Sequence, residues 1–162
     1  MYTNVWLSNS FDEESRRYSA FTREDIRKLQ VLQNKIMRLK CGKGYDASTI
    51  ELMTATRDLS VHQLGAYTTL LTAHRSIVSG KPKYLSSKLK LRNKTDIPML
   101  PERYQNTMNI SSKLTLVRGG FFCRASTLFN RLPLALRLCD DYREFKVDVK
   151  EWIKSNVSVK PN

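Results

Sequence analysis

The spacing of apolar residues predicts a chain built mainly from helices. From Thr22 to Leu39 apolar residues recur at helical intervals, and Asp25 stands three residues after Thr22, the spacing of a capping box. The apolar positions are Ile26, Leu29, Leu32, Ile36 and Leu39. We therefore predict a first helix that ends at the glycines Gly42 and Gly44 and packs this apolar face into a core.

Two more helices are predicted in the first half of the chain. Ser48 with Glu51, and Ser60 with Gln63, repeat the capping spacing, and Gly80 ends the second of these helices. The expected apolar contacts are Ile50, Leu52 and Met53 in the shorter helix and Val61, Leu64, Tyr67, Thr68, Leu71, Ile77 and Val78 in the longer one. Capped amphipathic helices of this kind need each other's apolar faces.

The second half predicts a loop, a hairpin and two helices. Residues 95–106 contain two prolines and are expected to form a loop, and alternation over residues 108–116 predicts a small β-hairpin. A short helix after Gly120 should end at Pro133. A last helix should begin near Asp141, with Glu144 as its capping partner. Its expected core residues are Tyr142, Phe145, Val149, Trp152 and Ile153.

The predicted fold class is mainly α, a small bundle of about five helices with one short β-hairpin. Residues 1–21 are polar with scattered aromatic residues and are expected to form a flexible N-terminal arm. Residues 22–155 should form the helical domain, and residues 156–162 a C-terminal tail. A length of 162 residues fits one such domain.

The net charge indicates an anionic partner. The formal charge is +13, from 28 Lys and Arg residues against 15 Asp and Glu residues. Nucleic acid, an acidic protein and an anionic membrane all satisfy this requirement. No apolar run reaches the roughly 18 residues that a spanning helix needs, so no membrane partner is expected. Three widely spaced cysteines indicate a reducing compartment, so the protein is expected to be soluble and intracellular, nuclear or cytoplasmic.

Two basic groups are candidates for contacts with phosphates. Residues 81–94 carry Lys81, Lys83, Lys88, Lys90, Arg92 and Lys94, interleaved with Tyr84, Leu85, Leu89 and Leu91. The interleaving lets leucines dock on a core while the long cationic side chains reach outward to RNA or DNA. The first helix adds Arg27, Lys28, Lys35 and Arg38 on the face opposite its apolar residues. The alternative is an ordinary solvated face.

Enzyme motifs are absent from the sequence. Asp140 and Asp141 precede an amphipathic helix with a matched glutamate, which favours helix capping over a polymerase turn that holds magnesium. His62 and His74 are twelve residues apart on one predicted helix, too far to share a metal ion, and are expected to be a surface and a half-buried histidine. No catalytic residue, metal, cofactor or small-molecule substrate is therefore expected.

Three segments resemble the region that follows the polymerase core in non-LTR retrotransposon reverse transcriptases. IRKLQVLQNKIMRL is similar to the family's LQxLQNKxxR segment, GKPKYLSSKLKLR to its turn with tyrosine, leucine and basic residues, and TLFNRLPLALRLCDDYREFKVDVKEWI to its LWNxLPxxLR signature and following helix. The matches occur in the family's order over about residues 22–153. Phe129 stands where tryptophan is common, which should keep a large aromatic anchor in the core.

The resemblance implies a thumb-like helical module whose parent enzymes copy element RNA into DNA at a nicked chromosomal site. No position here matches the family's catalytic motif, so we expect a non-catalytic fragment that binds RNA or DNA through phosphate contacts. A first alternative is an interaction module that packs on the missing polymerase domain or on itself, because a detached tail would expose apolar faces. A second alternative is a piece of a decayed element with no selected role. Polymerisation would require the polymerase domain on another chain.

Overall fold

The computed structural model describes residues 22–92, 107–108 and 120–159, and these residues are mainly helical. Within them lie seven helices: α1 (Arg23–Cys41), α2 (Thr49–Thr56), α3 (Val61–Ser79), α4 (Lys83–Ser86), α5 (Phe121–Asn130), α6 (Leu134–Leu138) and α7 (Tyr142–Asn156). The mainly α fold class is confirmed. Those ranges hold no β-strand, only one antiparallel bridge between Leu91 and Met108. The predicted hairpin is not supported, and most of it, like the predicted loop, falls outside the described residues.

The predicted helix ends are confirmed by their caps. Thr22, Ser48 and Ser60 each form a reciprocal capping box with the residue three positions later. The Asp141 side chain accepts hydrogen bonds from the backbone N–H groups of Arg143 and Glu144, at 2.6 and 3.3 Å, so this aspartate caps α7. Only one of the two hydrogen bonds of the predicted capping box forms there. The Glu144 N–H donates to Asp141, but the Glu144 carboxylate lies 3.9 Å from the Cys139 thiol sulfur.

The helix α3 lies at the centre of the bundle. It contacts α1, α4, α5 and α7, and its buried positions cover most of its circumference. Several hydroxyl groups in it donate to backbone carbonyls of the same helix, as where Thr69 Oγ1 donates to the Gly65 carbonyl at 2.7 Å. The main core around it includes Leu70, Phe129, Phe145, Val149 and Ile153. The pattern predicted one apolar side for α3, whereas packing partners on several sides bury most of it.

The last helix packs as predicted, and so does the aromatic anchor of α5. Phe145, Val149 and Ile153 are fully buried, and Tyr142 and Trp152 are half-buried against the same core. Phe129, the residue where the resembled family often has tryptophan, is also buried.

The first helix is oriented differently from the prediction. Leu32, Ile36 and Leu39 are 54%, 65% and 86% exposed, and Ile26 and Leu29 are half-buried, so most of the apolar face predicted to enter the core faces solvent. Of the inward-facing residues only Met37 is fully buried, in a small second core with Ala47, Leu52 and Met53. Ile50 of α2 and Val78 of α3, also predicted as core contacts, are exposed.

Hydrogen bonds from a polar seam explain this orientation. We call Gln30, Gln33, Asn34 and Arg38 the polar seam of α1. Gln30 Oε1 accepts from the Val61 N–H at 2.9 Å, and this donor lies in the first turn of α3, where no intrahelical acceptor exists. The other members donate to Leu59 O at 2.8 Å, Thr49 Oγ1 at 2.8 Å and Ala47 O at 3.1 Å. The seam pairs buried backbone groups that a leucine face would leave unpaired.

Of the two histidines, expected to be one at the surface and one half-buried, neither is at the surface. His74 is 2% exposed, and its ring stacks on Phe145 with the ring centroids 3.8 Å apart. Its Nε2 lies 2.6 Å from the Cys139 carbonyl oxygen, which accepts, so in the neutral ring Nε2 carries the proton. Burial lowers the pKa of His74, against smaller raising effects of the Cys139 carbonyl and of Asp140. His62 is half-buried, and burial also lowers its pKa.

The polar seam should contribute more to stability than the leucines on the same helix. Gln30→Ala leaves the buried Val61 N–H unpaired and should lower the free energy of unfolding by about 1–3 kcal/mol. Ile36→Ala removes only an exposed side chain and should change it by less than about 0.5 kcal/mol. Urea denaturation of both variants checks this order. A larger loss for Ile36→Ala would show that the leucine face is buried.

The neutral imidazole of His74 should make the fold sensitive to mild acid. Its folded pKa lies below the unfolded value of about 6.5, so its contribution is complete above that value and is lost as the pH falls towards the folded pKa. His74→Gln keeps a side-chain donor but does not titrate, so it should reduce the loss of stability between about pH 7 and pH 5. His62, whose pKa is also lowered by burial, contributes to the remaining slope. Thermal unfolding across this range is the measurement, and an unchanged slope would contradict the assignment.

Candidate nucleic-acid interface

The basic segment after α3 is held to the core by its leucines. The chain leaves α3 at Gly80, which adopts the left-handed conformation with a φ of 67°, and enters α4 after Pro82. Leu85 and Leu89 are 5% and 3% exposed and belong to the main core. The Ser86 hydroxyl also donates to the Gly80 carbonyl at 3.0 Å. The predicted docking of leucines beneath a basic surface is confirmed for these two residues.

Four of the six predicted cations in this segment are exposed. Lys81, Lys83, Lys88 and Lys90 are exposed, and we call them the lysine segment. The Lys88 ammonium lies 5.1 Å from the centre of the Phe122 ring, a cation–π contact that orients it. Arg92 is half-buried. Lys94 lies outside the described residues.

An asparagine from α5 holds the end of the segment. Asn130 accepts from the Met108 N–H at 2.7 Å and donates to the Met108 carbonyl at 3.0 Å, as a neighbouring strand would. Met108 bridges to Leu91, and the Arg92 N–H donates to the Thr107 carbonyl at 2.9 Å. Sequence reasoning missed this role, although Asn130 stands inside the FNRLP motif.

The basic residues of α1 divide into two kinds. Arg27, Lys28 and Lys35 are exposed, and Arg27 forms an ion pair with Glu24 at 3.5 Å. Arg38 instead belongs to the polar seam: it donates to Ala47 and lies 5.5 Å from the Tyr45 ring centre. Arg38 is thus half-buried rather than exposed, and its contact with phosphate stays a prediction.

The predicted separation of basic and apolar faces on α1 is wrong. Lys28 and Lys35 stand four and three residues from Leu32, and side chains at these spacings share one side of a helix. These two lysines therefore lie beside exposed leucines rather than opposite a buried apolar face. The reason is the polar seam, which takes the inward side of the helix.

The two basic groups are anchored at different ends of α3. The helix α1 is tied by hydrogen bonds to Leu59 and Val61, at the start of α3, whereas the lysine segment follows Gly80 at its end. These anchoring contacts do not join them into one basic surface. We treat them as two surfaces with different surroundings.

The described part of the chain offers little for other chemistry. Among residues 22–92, 107–108 and 120–159, no group of three or more His, Cys, Asp or Glu residues could hold a metal ion. Cys41, Cys123 and Cys139 are free thiols. None of the helices in these ranges combines the length and apolar character needed to cross a membrane.

Comparisons with known proteins found no match to this chain among family models, curated proteins or solved structures.

The Asn130 clamp should control the order of the segment's end. Asn130→Leu removes both hydrogen bonds to Met108, so the Met108 amide should exchange with solvent about tenfold faster or more, as expected for a lost hydrogen bond of about 1–3 kcal/mol. Asn130→Asp keeps the acceptor for that amide and should preserve more of its protection. Hydrogen exchange by NMR gives both rates. Equal, unchanged rates in the two variants would show that the clamp is dispensable.

Proposed function

We propose that this chain is a non-catalytic nucleic-acid-binding module that grips the phosphate backbone of RNA or DNA through the lysine segment. The observation that carries the proposal is the pairing of buried leucines with exposed lysines in residues 81–90. Leu85 and Leu89 fix the backbone, so the neighbouring ammonium groups start from a defined position.

A grip of this kind is electrostatic and independent of base sequence. Each lysine that neutralises a phosphate releases a counterion, and that release drives association at low salt. The excess of cations over the whole chain, with a formal charge of +13, adds a long-range attraction. Contacts to phosphate position a protein on nucleic acid without reading its bases. The proposed activity is therefore binding without sequence preference.

We also propose that the chain derives from the non-LTR retrotransposon reverse transcriptases, the family that its sequence resembles. Support comes from the motif residues that turn out to connect helices. Gln33 and Asn34 of the LQNK segment tie α1 to the start of α2 and α3, and Asn130 of the FNRLP segment ties α5 to Met108. Motif residues with such roles are those on which a shared helical fold would depend. The free thiols suit an intracellular, reducing setting, where the partner nucleic acid is also found.

The absence of catalysis is part of the proposal. Asp141 caps α7, a role that occupies its carboxylate with two backbone N–H groups. No residue of the chain matches the catalytic motif of the parent polymerases. If the module serves polymerisation, the catalytic aspartates come from another chain or domain.

Salt-dependent binding tests the proposal. The full chain should bind a mixed-sequence single-stranded oligonucleotide with an affinity that falls steeply as salt rises. Replacing Lys81, Lys83 and Lys90 by Gln should make the log–log salt slope shallower by about 2, at about 0.7 for each lost contact to a single strand. Lys88 is left intact because its ammonium group forms the cation–π contact with Phe122. Fluorescence anisotropy over a salt series measures both slopes.

Two matched variants serve as controls. Arg at the same three positions keeps the charge and should preserve binding. Gln at Arg27, Lys28 and Lys35 removes the same charge from α1 and should change the slope less. Binding that barely changes between low and moderate salt would remove the phosphate grip as an explanation. An equal loss in the α1 variant would mean that both basic groups touch the strand.

A further inference from the structure

The exposed side of α1 is an apolar surface that the bundle does not use. Val31, Leu32, Ile36 and Leu39 are all exposed, and we call them the leucine ridge. The polar seam already attaches the other side of the helix to α2 and α3. A well-anchored helix thus presents several large aliphatic side chains together to solvent, which marks an interaction surface.

The spacing of the ridge fits a helical partner. Three ridge residues, Leu32, Ile36 and Leu39, together with the neighbouring Leu29, follow one another at intervals of three, four and three residues, the alternation of core positions in a coiled coil. Leu29 is half-buried and the other three are exposed, so the row is continuous along one side of α1. A partner helix would place its own apolar side chains between them.

Two clefts border the ridge. One, of about 300 Å³, is lined by Glu24, Arg27, Lys28, Val31 and Leu32. The other, of about 450 Å³, lies between the end of α1 and the following loop and is lined by residues that include Lys35, Leu39, Lys43 and Tyr45. Both recesses are open to solvent beside the ridge.

The charges beside the ridge select the partner. Lys28 and Lys35 lie along it, Lys43 stands at its end, and all three are exposed. In coiled-coil terms Lys28 and Lys35 flank the apolar row, where charged residues determine partner choice. An antiparallel second copy would set Lys28 and Lys35 against the same residues of its partner, and a parallel copy would set them against Gln33 and Lys40. Neither arrangement supplies a negative charge.

We propose that the leucine ridge docks an acidic amphipathic helix of another protein. Its leucine-like side chains would cover Leu32, Ile36 and Leu39, and its Asp and Glu residues would lie beside Lys28 and Lys35. Nucleic acid is the poorer occupant of this surface, because phosphate contacts would leave the apolar side chains in water. The proposal is independent of the phosphate grip, which uses the lysine segment at the other end of α3.

The test uses a synthetic helical peptide as the probe. The peptide has three heptads, with leucine at positions a and d and glutamate at e and g. The full chain should bind it saturably, and a control peptide with lysine at e and g should bind at least about tenfold more weakly, since like charges face each other. Fluorescence anisotropy of the labelled peptides, without nucleic acid, gives both affinities.

Matched variants of the chain locate the site. Replacing Leu32, Ile36 and Leu39 by Ser should lower the affinity for the glutamate peptide at least about tenfold, because these side chains would form the buried centre of the contact. Replacing Val78, Leu138 and Val147 by Ser removes exposed apolar side chains elsewhere and should leave the affinity unchanged. Circular dichroism of both variants should match the parent chain.

Several outcomes would overturn the proposal. Equal binding of the two peptides, or no binding of the glutamate peptide, would remove the acidic helix as the occupant. Concentration-dependent dimerisation that the Ser variant at the ridge abolishes would assign the ridge to a second copy. Ridge-dependent binding to phosphatidylserine vesicles would assign it to a membrane. Nuclear Overhauser contacts between Leu39 and an aromatic ring of residues 1–21 would assign it to the chain's own N-terminal segment.

Discussion

The structure depends on how the buried start of α3 satisfies its backbone N–H groups. Ser60 and Gln63 are both almost fully buried there, so water cannot serve the donors of the first turn. The capping box pairs the N–H groups of Ser60 and Gln63, and Gln30 of α1 accepts from Val61. The Gln63 amide also donates to the Val157 carbonyl at 2.9 Å, just after α7. One helix terminus therefore ties the first and last helices to the centre of the bundle.

That requirement decides which side of α1 faces inward. An inward leucine side would bury more apolar area, at about 25 cal/mol per Å², but would leave the Val61 donor and the Leu59 and Ala47 acceptors without their amide and guanidinium partners. Because hydrogen bonds are directional, the seam also sets the register of α1 against α2 and α3. The aliphatic side chains on the outer side are then left for contacts outside the bundle.

The parts of the fold that the sequence predicted correctly are those determined by neighbouring residues. Capping pairs at Thr22, Ser48 and Ser60 and the left-handed glycines Gly42 and Gly80 depend on spacings of a few residues, and periodicity identified the buried side of α7. The parts that it missed depend on distant partners. Periodicity cannot show that a row of amides will outcompete a row of leucines, because the deciding acceptors and donors lie up to 31 residues away.

The same limit applies to the basic residues, which look alike in sequence and differ in their surroundings. Lys90 sits beside the buried Leu89, Lys35 beside the exposed Ile36, and Arg38 donates to a backbone carbonyl. A lysine whose apolar neighbours are buried offers only charge, which suits phosphate. A lysine whose apolar neighbours are exposed offers charge and a surface to bury, which suits an amphipathic protein partner. The excess of positive charge therefore does not imply one kind of partner, because the burial of adjacent side chains decides what each cation can recognise.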